Sequence, residues 1–322
     1  MGHSDSFMLV YTGPTGVGKT ALIDAVAQAV PAEIINIDMG QFYTPLNIGT
    51  AKPDWQSAQV PHHMFDLIDQ PRDFTVAHYR SQLIAVIDGV WSRKRIPILV
   101  GGSGFYVRSL FFPPVQTAAV SQAYSQIPQE QLWEHLRAID SERAAVLEKK
   151  DYYRIERALD IWYAAGKKPS ELQPSFNPPC SFGLIGVMRD REDLYARIDQ
   201  RVALMMHDGW IKEVVGLQGS VWEQFLLDKK LIGYVDIFNY LAREDGDMDL
   251  LIDVIAQKTR NYAKRQMTFW RGLKRQIDTA LQVAPSVGPM PSFTDEINLT
   301  LMGIDVYIKR LVVALHPVLK EL

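Results

Sequence analysis

A phosphate-binding loop signature near the amino terminus constrains this chain more than any other feature. Residues 13–20 read Gly-Pro-Thr-Gly-Val-Gly-Lys-Thr, which matches a glycine, four further residues and then Gly-Lys-Thr. The preceding residues, 7–11, form an apolar run typical of a buried parallel strand, and residues 21–27 are apolar at helical spacing. A strand that leads through glycines into a helix aims several backbone N–H groups at one point. The sequence therefore predicts an α/β fold that binds a phosphate or a diphosphate.

Each residue type in this loop has a chemical reason to be there. The glycines let the backbone close around an anion, Lys19 adds a compact positive charge, and the Thr20 hydroxyl suits Mg²⁺. We therefore predict Mg²⁺ as the cofactor and Thr20 as its protein ligand. The predicted diphosphate or nucleotide site comprises Gly13, Pro14, Thr15, Gly16, Val17, Gly18, Lys19 and Thr20.

Composition narrows the class of protein. The 322 residues carry a net charge of −3, so binding of nucleic acid would require a local basic face. The single cysteine, Cys180, excludes internal disulfides and cysteine zinc sites, as is common in a reducing cytosol. No apolar stretch is long enough to cross a membrane, and no signal peptide is expected. We predict a cytoplasmic protein without membrane contact, and no sequence feature requires more than a monomer.

A second group of candidate residues follows two further predicted strands. Residues 33–37 read as a strand that delivers Asp38 at its carboxyl end, where ligands lie in open parallel sheets. Three roles stay open for Asp38: it holds Mg²⁺ through water, accepts a proton in catalysis, or caps the next turn, and we favour the catalytic acceptor over the cap. Residues 96–100 form the next strand, which runs into the glycine-rich turn 101–106. The pair His62-His63 is interpreted as structural or substrate-shaping rather than metal-binding.

The rest of the chain predicts a division into four parts. Residues 1–112 form the first part of a P-loop NTPase-like core, a parallel sheet flanked by helices, and residues 113–180 form an inserted helical domain with helices at 131–137 and 141–163. Residues 181–283 complete the core, with helices at 191–217 and 252–275 and a possible last strand at 277–283. Residues 284–322 form a linker and a final helix, at about 303–319.

The helix at 252–275 carries a basic face. Its basic residues fall within about a third of the circumference, and its large apolar residues take the opposite side. The basic residues are Arg260, Lys264, Arg271, Lys274 and Arg275. Two interpretations stay open: a solvated face of a docked amphipathic helix, or a groove for a polyanion such as an RNA backbone.

Eight segments occur in the order of one known family and span about residues 8–283. They are 13–20, 37–43 (Ile-Asp-Met-Gly-Gln-Phe-Tyr), 49–53 (Gly-Thr-Ala-Lys-Pro), 100–106 (Val-Gly-Gly-Ser-Gly-Phe-Tyr), 153–159 (Tyr-Arg-Ile-Glu-Arg-Ala-Leu), 194–198 (Leu-Tyr-Ala-Arg-Ile), 232–234 (Ile-Gly-Tyr) and 263–270 (Ala-Lys-Arg-Gln-Met-Thr-Phe-Trp). In these segments the chain resembles the tRNA dimethylallyltransferases, also called tRNA isopentenyltransferases.

The resemblance implies transfer of a dimethylallyl group from dimethylallyl diphosphate to the exocyclic amine of the adenine beside the tRNA anticodon. Residues 15–20, Lys19 among them, would hold the diphosphate with Mg²⁺, and Asp38 would accept a proton from the amine. Ser103, where the family has threonine, would touch both substrates. Arg197 would help to neutralise the leaving diphosphate.

The resemblance also implies contacts with the anticodon stem-loop of tRNA, in part through the inserted helical domain. The predicted contact residues are Asp38, Met39, Gly40, Gln41, Ser103, Tyr153, Arg154, Ile155, Glu156, Arg157, Ile232, Gly233, Tyr234, Lys264, Arg265, Gln266, Trp270 and Arg271. Met39 stands where the family usually has serine.

Three other functions stay open at this point. An adenylate isopentenyltransferase acting on AMP or ADP shares the loop, but such an enzyme needs neither the helical insertion nor the basic helix. A small-molecule kinase would use Asp38 as the base for a hydroxyl and would turn over ATP without a prenyl diphosphate. A non-catalytic relative would bind tRNA and form no product.

Overall fold

A six-stranded parallel sheet forms the centre of the larger unit of this protein. In this computed structural model, residues 6–72, 74–114, 123–172, 174–243, 246–283 and 290–322 are described. In chain order the strands are β1 (Phe7–Thr12), β2 (Ala32–Asn36), β3 (His62–His63), β4 (Ile96–Gly101), β5 (Ser181–Met188) and β6 (Phe293–Asn298). They lie in the order β3-β2-β4-β1-β5-β6, and every neighbouring pair is parallel.

The helices pack around the sheet in the larger unit, and three of them, α4 to α6, lie in the smaller one. In chain order they are α1 (Lys19–Ala29), α2 (Val76–Ser92), α3 (Gly104–Phe111), α4 (Leu132–Ile139), α5 (Ser141–Ala145), α6 (Tyr152–Ala165), α7 (Arg191–His207), α8 (Trp210–Val215), α9 (Val221–Lys229), α10 (Tyr234–Leu241), α11 (Met248–Val283), α12 (Ile304–Ala314) and α13 (His316–Glu321). A parallel sheet needs cover on both faces, which is why the side chains of β1 and β2 are all buried. The predicted fold class, a P-loop NTPase-like parallel sheet flanked by helices, is confirmed.

The carboxyl-terminal segment extends the sheet, which the sequence did not predict. Strand β6 pairs with β5 in a region expected to be only a linker and a helix. Ile297 is its one fully buried residue among those described, as befits an edge strand, so the apolar signal is weak. Helices α12 and α13 then pack on the core, and the hydroxyls of Tyr11 and Tyr307 lie 2.9 Å apart. Residues 284–289 of the predicted linker lie outside the described residues.

Three predicted helices are wrong in their extent. The helix predicted at 191–217 is interrupted at Gly209, whose φ of 102° is left-handed and separates α7 from α8. The helix predicted at 141–163 is two helices, α5 and α6. The final predicted helix divides into α12 and α13, with Pro317 in the first turn of α13. The possible strand at 277–283 is wrong as well, because these residues continue α11.

The smaller unit, Phe112–Asn177, has a core of its own. Leu136 and Ile155 from α4 and α6 are fully buried in it. Asp140 accepts backbone hydrogen bonds from Arg143 (2.9 Å) and Ser170 (2.8 Å), so it caps α5 and ties down the end of the unit. In the described part of the chain, no helix combines the length and the apolar character needed to cross a bilayer.

Candidate active site

The phosphate-binding loop connects β1 to α1 in the manner its glycines require. Gly16 and Gly18 have φ values of 79° and 99°, a region in which a side chain would be strained. Val17 is fully buried and attaches the loop to the hydrophobic core. Helix α1 begins at Lys19, so the free N–H groups of its first turn and the positive end of its dipole lie at the loop.

The Lys19 ammonium lies inside the loop. Its Nζ donates to the carbonyl oxygens of Gly13 and Pro14, both at 2.9 Å. Burial lowers the pKa of Lys19 to about 8; the nearby Asp38 carboxylate opposes this shift and Arg201 adds to it. The two carbonyl oxygens thus hold the Lys19 ammonium against the phosphate-binding loop.

Asp38 follows β2 and faces the same crevice. Its Oδ1 accepts hydrogen bonds from the Gly40 N–H (3.3 Å) and the Ser103 hydroxyl (3.2 Å), and its Oδ2 accepts one from the Gly102 N–H (3.3 Å). The Ser103 hydroxyl in turn accepts from the Met39 N–H at 3.1 Å. The bond to Gly40 caps the 3₁₀ turn Met39–Phe42, so the capping alternative is correct as far as it goes. The role of proton acceptor stays a prediction.

Three arginines reach the loop, two from the middle of α7 and one from the residue that follows β5. Arg197 Nε donates to Gly16 O at 3.1 Å, and Arg201 Nη1 donates to Thr15 Oγ1 at 3.4 Å. Arg189 Nε donates to Val17 O at 2.8 Å. The i,i+4 spacing of Arg197 and Arg201 indicates that they share a face, whereas no sequence pattern singled out Arg189.

Helix α11 adds two side chains to this centre. The Gln266 amide bonds to Thr15 of the loop and to Gly102 of the glycine-rich turn. Burial, followed by the Asp38 carboxylate, raises the pKa of Tyr262 well above its usual range, and a hydrogen bond with Gln266 opposes the shift. Tyr262 was predicted only as part of the apolar side of this helix, so its place beside Asp38 is a finding.

The loop at 47–52 is held by a carboxylate that sequence reasoning missed. Glu213 accepts hydrogen bonds from three successive N–H groups, those of Asn47, Ile48 and Gly49, at 2.9, 2.7 and 3.2 Å. It also accepts from the Tyr234 hydroxyl at 2.7 Å. The loop in turn holds the Gln41 amide through the carbonyls of residues 50 and 51. These contacts give the predicted segments 49–53 and 232–234 a structural role.

Four residues predicted to contact tRNA are buried: Ile155, Gly233, Tyr234 and Trp270. Trp270 is 3% exposed; its ring packs on Gly186 and its N–H donates to Glu296. Tyr234 is 1% exposed and Ile155 is 0% exposed, both packed in the cores of their units. Their burial removes them from any surface that RNA could reach.

The basic face of α11 is partly neutralised within the chain. Arg260 pairs with Asp199, and Lys274 pairs with Asp278 at 2.7 Å. Lys264, Arg271 and Arg275 of this face, by contrast, are exposed, and so is the neighbouring Arg265. Two members of the face are thus paired within the chain, and the exposed members fit either interpretation, so the polyanion groove stays a prediction.

The remaining predicted contact residues differ in exposure. Tyr153 of the smaller unit is 74% exposed. Arg154 is also exposed, whereas Met39, Gly40, Gln41, Glu156, Arg157 and Ile232 are half-buried and Gly233 is buried.

One pocket beside the loop is lined by one ammonium group and by several side chains that carry oxygen atoms. Lys19, Thr20, Asp24, Asp38 and Gln41 contribute to its lining. Among the described residues no group of three or more histidines, cysteines or carboxylates has the geometry of a metal centre. His62 and His63 are structural: His62 Nδ1 lies 2.7 Å from Val60 O, and His63 Nε2 lies 2.6 Å from a carboxylate oxygen of Glu33.

Comparisons with known proteins agree with this geometry. A family model described as IPP transferase matches residues 41–273. A tRNA dimethylallyltransferase of Alkaliphilus metalliredigens is 35% identical over 275 residues, 82% of this chain and 88% of the relative. One from Symbiobacterium thermophilum is 38% identical over 281 residues, 83% of this chain and 87% of the relative. A solved structure of a eukaryotic dimethylallyltransferase acting on tRNA superposes with a TM-score of 0.77 at 25% identity, covering 97% of this chain and 78% of that one.

Proposed function

Since this chain belongs to the IPP transferase family and is a tRNA-modifying prenyltransferase, we propose that it moves a dimethylallyl group from dimethylallyl diphosphate to the exocyclic amine of the adenine beside the anticodon. One observation carries the proposal. A carboxylate, Asp38, is fixed at the same crevice as a phosphate-binding loop whose Lys19 carries a positive charge. This arrangement suits a reaction that releases a diphosphate anion and a proton.

The charges that develop in this reaction match the groups present. Breaking the allylic carbon–oxygen bond puts negative charge on the diphosphate, which Lys19, Arg197 and the N–H groups of the loop are placed to stabilise. The adenine amine is a weak nucleophile, because its lone pair is delocalised into the ring. Asp38 would take up its proton as the new carbon–nitrogen bond forms.

Mg²⁺ belongs to the proposal because the residues fit it. The Thr20 hydroxyl and the carboxylates of Asp38 and Asp24 line one pocket, and oxygen atoms are the ligands this ion prefers. When bound, the ion would neutralise charge on the diphosphate oxygens. The protein would supply few of its ligands, leaving the rest to water and the diphosphate.

For tRNA we propose contacts through Lys264, Arg265 and Arg271 on α11 in the larger unit and, taken separately, through Tyr153 and Arg154 in the smaller unit. All five are exposed. Cations suit phosphate contacts, and an exposed aromatic ring suits stacking with an unpaired base. A monomer in the cytoplasm completes the proposal. AMP or ADP prenylation and small-molecule phosphorylation are not favoured, because the relatives named above are tRNA dimethylallyltransferases.

The test is a transfer assay with radiolabelled dimethylallyl diphosphate and Mg²⁺. The acceptors are an unmodified anticodon stem-loop with an adenine-rich loop, AMP, or none. We expect label in the stem-loop alone. In Asp38→Asn, which keeps the shape of the side chain, we expect the rate to fall by about 10²–10⁴-fold. Asp305→Asn, an exposed carboxylate at the start of α12, is the matched control and should retain full activity.

Other outcomes have definite meanings. Label in AMP would make the protein an adenylate isopentenyltransferase. ATP turnover without prenyl transfer would indicate a kinase. Binding of the stem-loop with no label in any acceptor would leave a non-catalytic RNA-binding protein.

A further inference from the structure

Gln266 joins the two loops that define the site. Its Oε1 accepts the N–H of Thr15 in the phosphate loop at 2.9 Å, and its Nε2 donates to the carbonyl of Gly102 at 2.8 Å. Reversing the amide would set a donor against a donor at Thr15 and an acceptor against an acceptor at Gly102, so the orientation is determined by its partners. The two contacts span 251 and 164 residues of sequence.

The bridge occupies a closely fitted space. A Cβ at position 102 would lie 2.4 Å from Gln266 Nε2 and 3.1 Å from Gly13 O, so only glycine permits this approach. The bridge also consumes the N–H of Thr15. Because the Val17 N–H also donates within the loop, to Pro14 O at 3.4 Å, the N–H groups of Gly16 and of residues 18–20 are left to form the anion cradle.

The Gln266 bridge joins two loops that both take part in the proposed reaction. On one side is the loop proposed to hold the diphosphate. On the other is the turn whose Gly102 N–H and Ser103 hydroxyl hold the two oxygens of Asp38. Through these contacts the Gln266 amide links the position of the Asp38 carboxylate to the position of the phosphate loop. Displacements of about 1 Å in such geometry cost on the order of 100-fold in rate.

We propose that Gln266 is a positioning residue that holds the diphosphate loop in register with the Asp38–Ser103 turn, and not a tRNA contact. The reaction named here rests on the proposed function. Both ends of the amide are used within the chain, whereas the neighbouring Lys264 and Arg265 are exposed. Substitution of Gln266 should therefore change catalysis and diphosphate binding while RNA affinity stays the same.

The test compares Gln266→Met and Gln266→Glu with Gln276→Met, an exposed glutamine on the same helix. Gln266→Met removes both hydrogen bonds at similar size. We expect it to lower kcat for transfer by about 10–100-fold. We expect the stem-loop Kd to stay within about twofold of wild type. Gln276→Met should match wild type in both.

The glutamate variant adds a readout that a purely structural role would not move. As a carboxylate it sets an oxygen against Gly102 O, but as a neutral acid it regains an O–H donor in the geometry of the amide. Its activity relative to wild type should therefore rise as the pH falls from 8 to 5.5. For Gln266→Met the same ratio should stay flat. Because the recovery occurs within one protein, misfolding cannot produce it.

Binding of inorganic pyrophosphate with Mg²⁺, measured by calorimetry, separates this inference from the proposed function. If wild type transfers no label, the proposed function fails, and the pH-dependent recovery of pyrophosphate affinity in Gln266→Glu still decides the role of the bridge. The inference is overturned if Gln266→Met transfers and binds pyrophosphate like wild type, if the Gln266→Glu ratio is flat with pH, or if RNA affinity alone is lost.

Discussion

Two carboxylates, one within strand β2 and one just after it, differ in the partners that surround them. Glu33, near its start, is 2% exposed and is hydrogen-bonded to the His63 ring, with Nε2 at 2.6 Å, and to the Arg93 guanidinium, through Nε and Nη2 at 2.9 and 2.6 Å. Asp38, just after its end, accepts only backbone N–H groups and one hydroxyl among the described contacts. Its nearest cations, Lys19 and Arg201, are directed at the phosphate loop.

The difference separates a structural carboxylate from a functional one. Glu33 has its charge compensated within the fold, so it has nothing left to offer a ligand. Asp38 is oriented by neutral donors, which fix its position without cancelling its charge. The amino end of the sheet is thus closed by ion pairs, while the carboxyl end keeps one anion and several cations available for substrate.

The largest effect should come from exchanging the two carboxylates for amides. Glu33→Gln removes a bidentate arginine pair, and we expect the free energy of unfolding to fall by about 1–3 kcal/mol with little change in transfer rate per folded molecule. Asp38→Asn should show the reverse, with a change in unfolding free energy below about 1 kcal/mol beside its loss of activity. Urea unfolding and the transfer assay on the same samples measure both. Equal effects of the two variants on both quantities would break the comparison.

The sequence predicted the residues at the carboxyl end of the sheet, because each of them follows a strand in a short local pattern. The phosphate loop, Asp38 and the turn at Ser103 each sit directly after a strand, so a short pattern places them at one edge of the sheet. Arg189, Glu213 and Gln266 act on loops more than 150 residues away in sequence, and no periodicity reports such a contact.

Burial on helices was predictable only in part. The spacing predicts the apolar side of α11 correctly. Residues 277–283 have a mixed pattern that fits a helix or a strand, which is why the strand predicted there is wrong. Trp270 lies on that apolar side, and the resemblance alone gave it a tRNA contact that its burial removes. Strand β6 was not predicted for a similar reason: an edge strand buries few side chains, so apolar and polar residues alternate only weakly along it.

A smaller effect should appear at alkaline pH through Lys19. Burial lowers its pKa to about 8, against the opposing influence of Asp38, so the ammonium loses its proton where an ordinary lysine would keep it. Affinity for inorganic pyrophosphate with Mg²⁺ should therefore fall above pH 8, by up to about tenfold per pH unit.

Two variants sharpen this result. Lys19→Arg cannot lose its charge, so its affinity should not show the fall that belongs to Lys19. Asp38→Asn removes the opposing carboxylate and should move the fall to lower pH. An unchanged midpoint in Asp38→Asn would mean that the two groups do not interact and that the crevice is not one electrostatic unit.

The smallest effect concerns Glu33 at acid pH. Burial alone would raise its pKa, but the hydrogen bonds and charges of Arg93 and His63 outweigh it and hold the pKa below the ordinary value of 4.5. Because the unfolded chain then binds the proton more readily, the stabilisation is complete above about pH 4.5 and is lost as the pH falls through the lower folded value. The gap in unfolding free energy between wild type and Glu33→Gln should therefore narrow between pH 5.5 and pH 3. A gap that stayed constant would show that Glu33 contributes by its shape and not by its charge, and the contrast with Asp38 would then be one of packing alone.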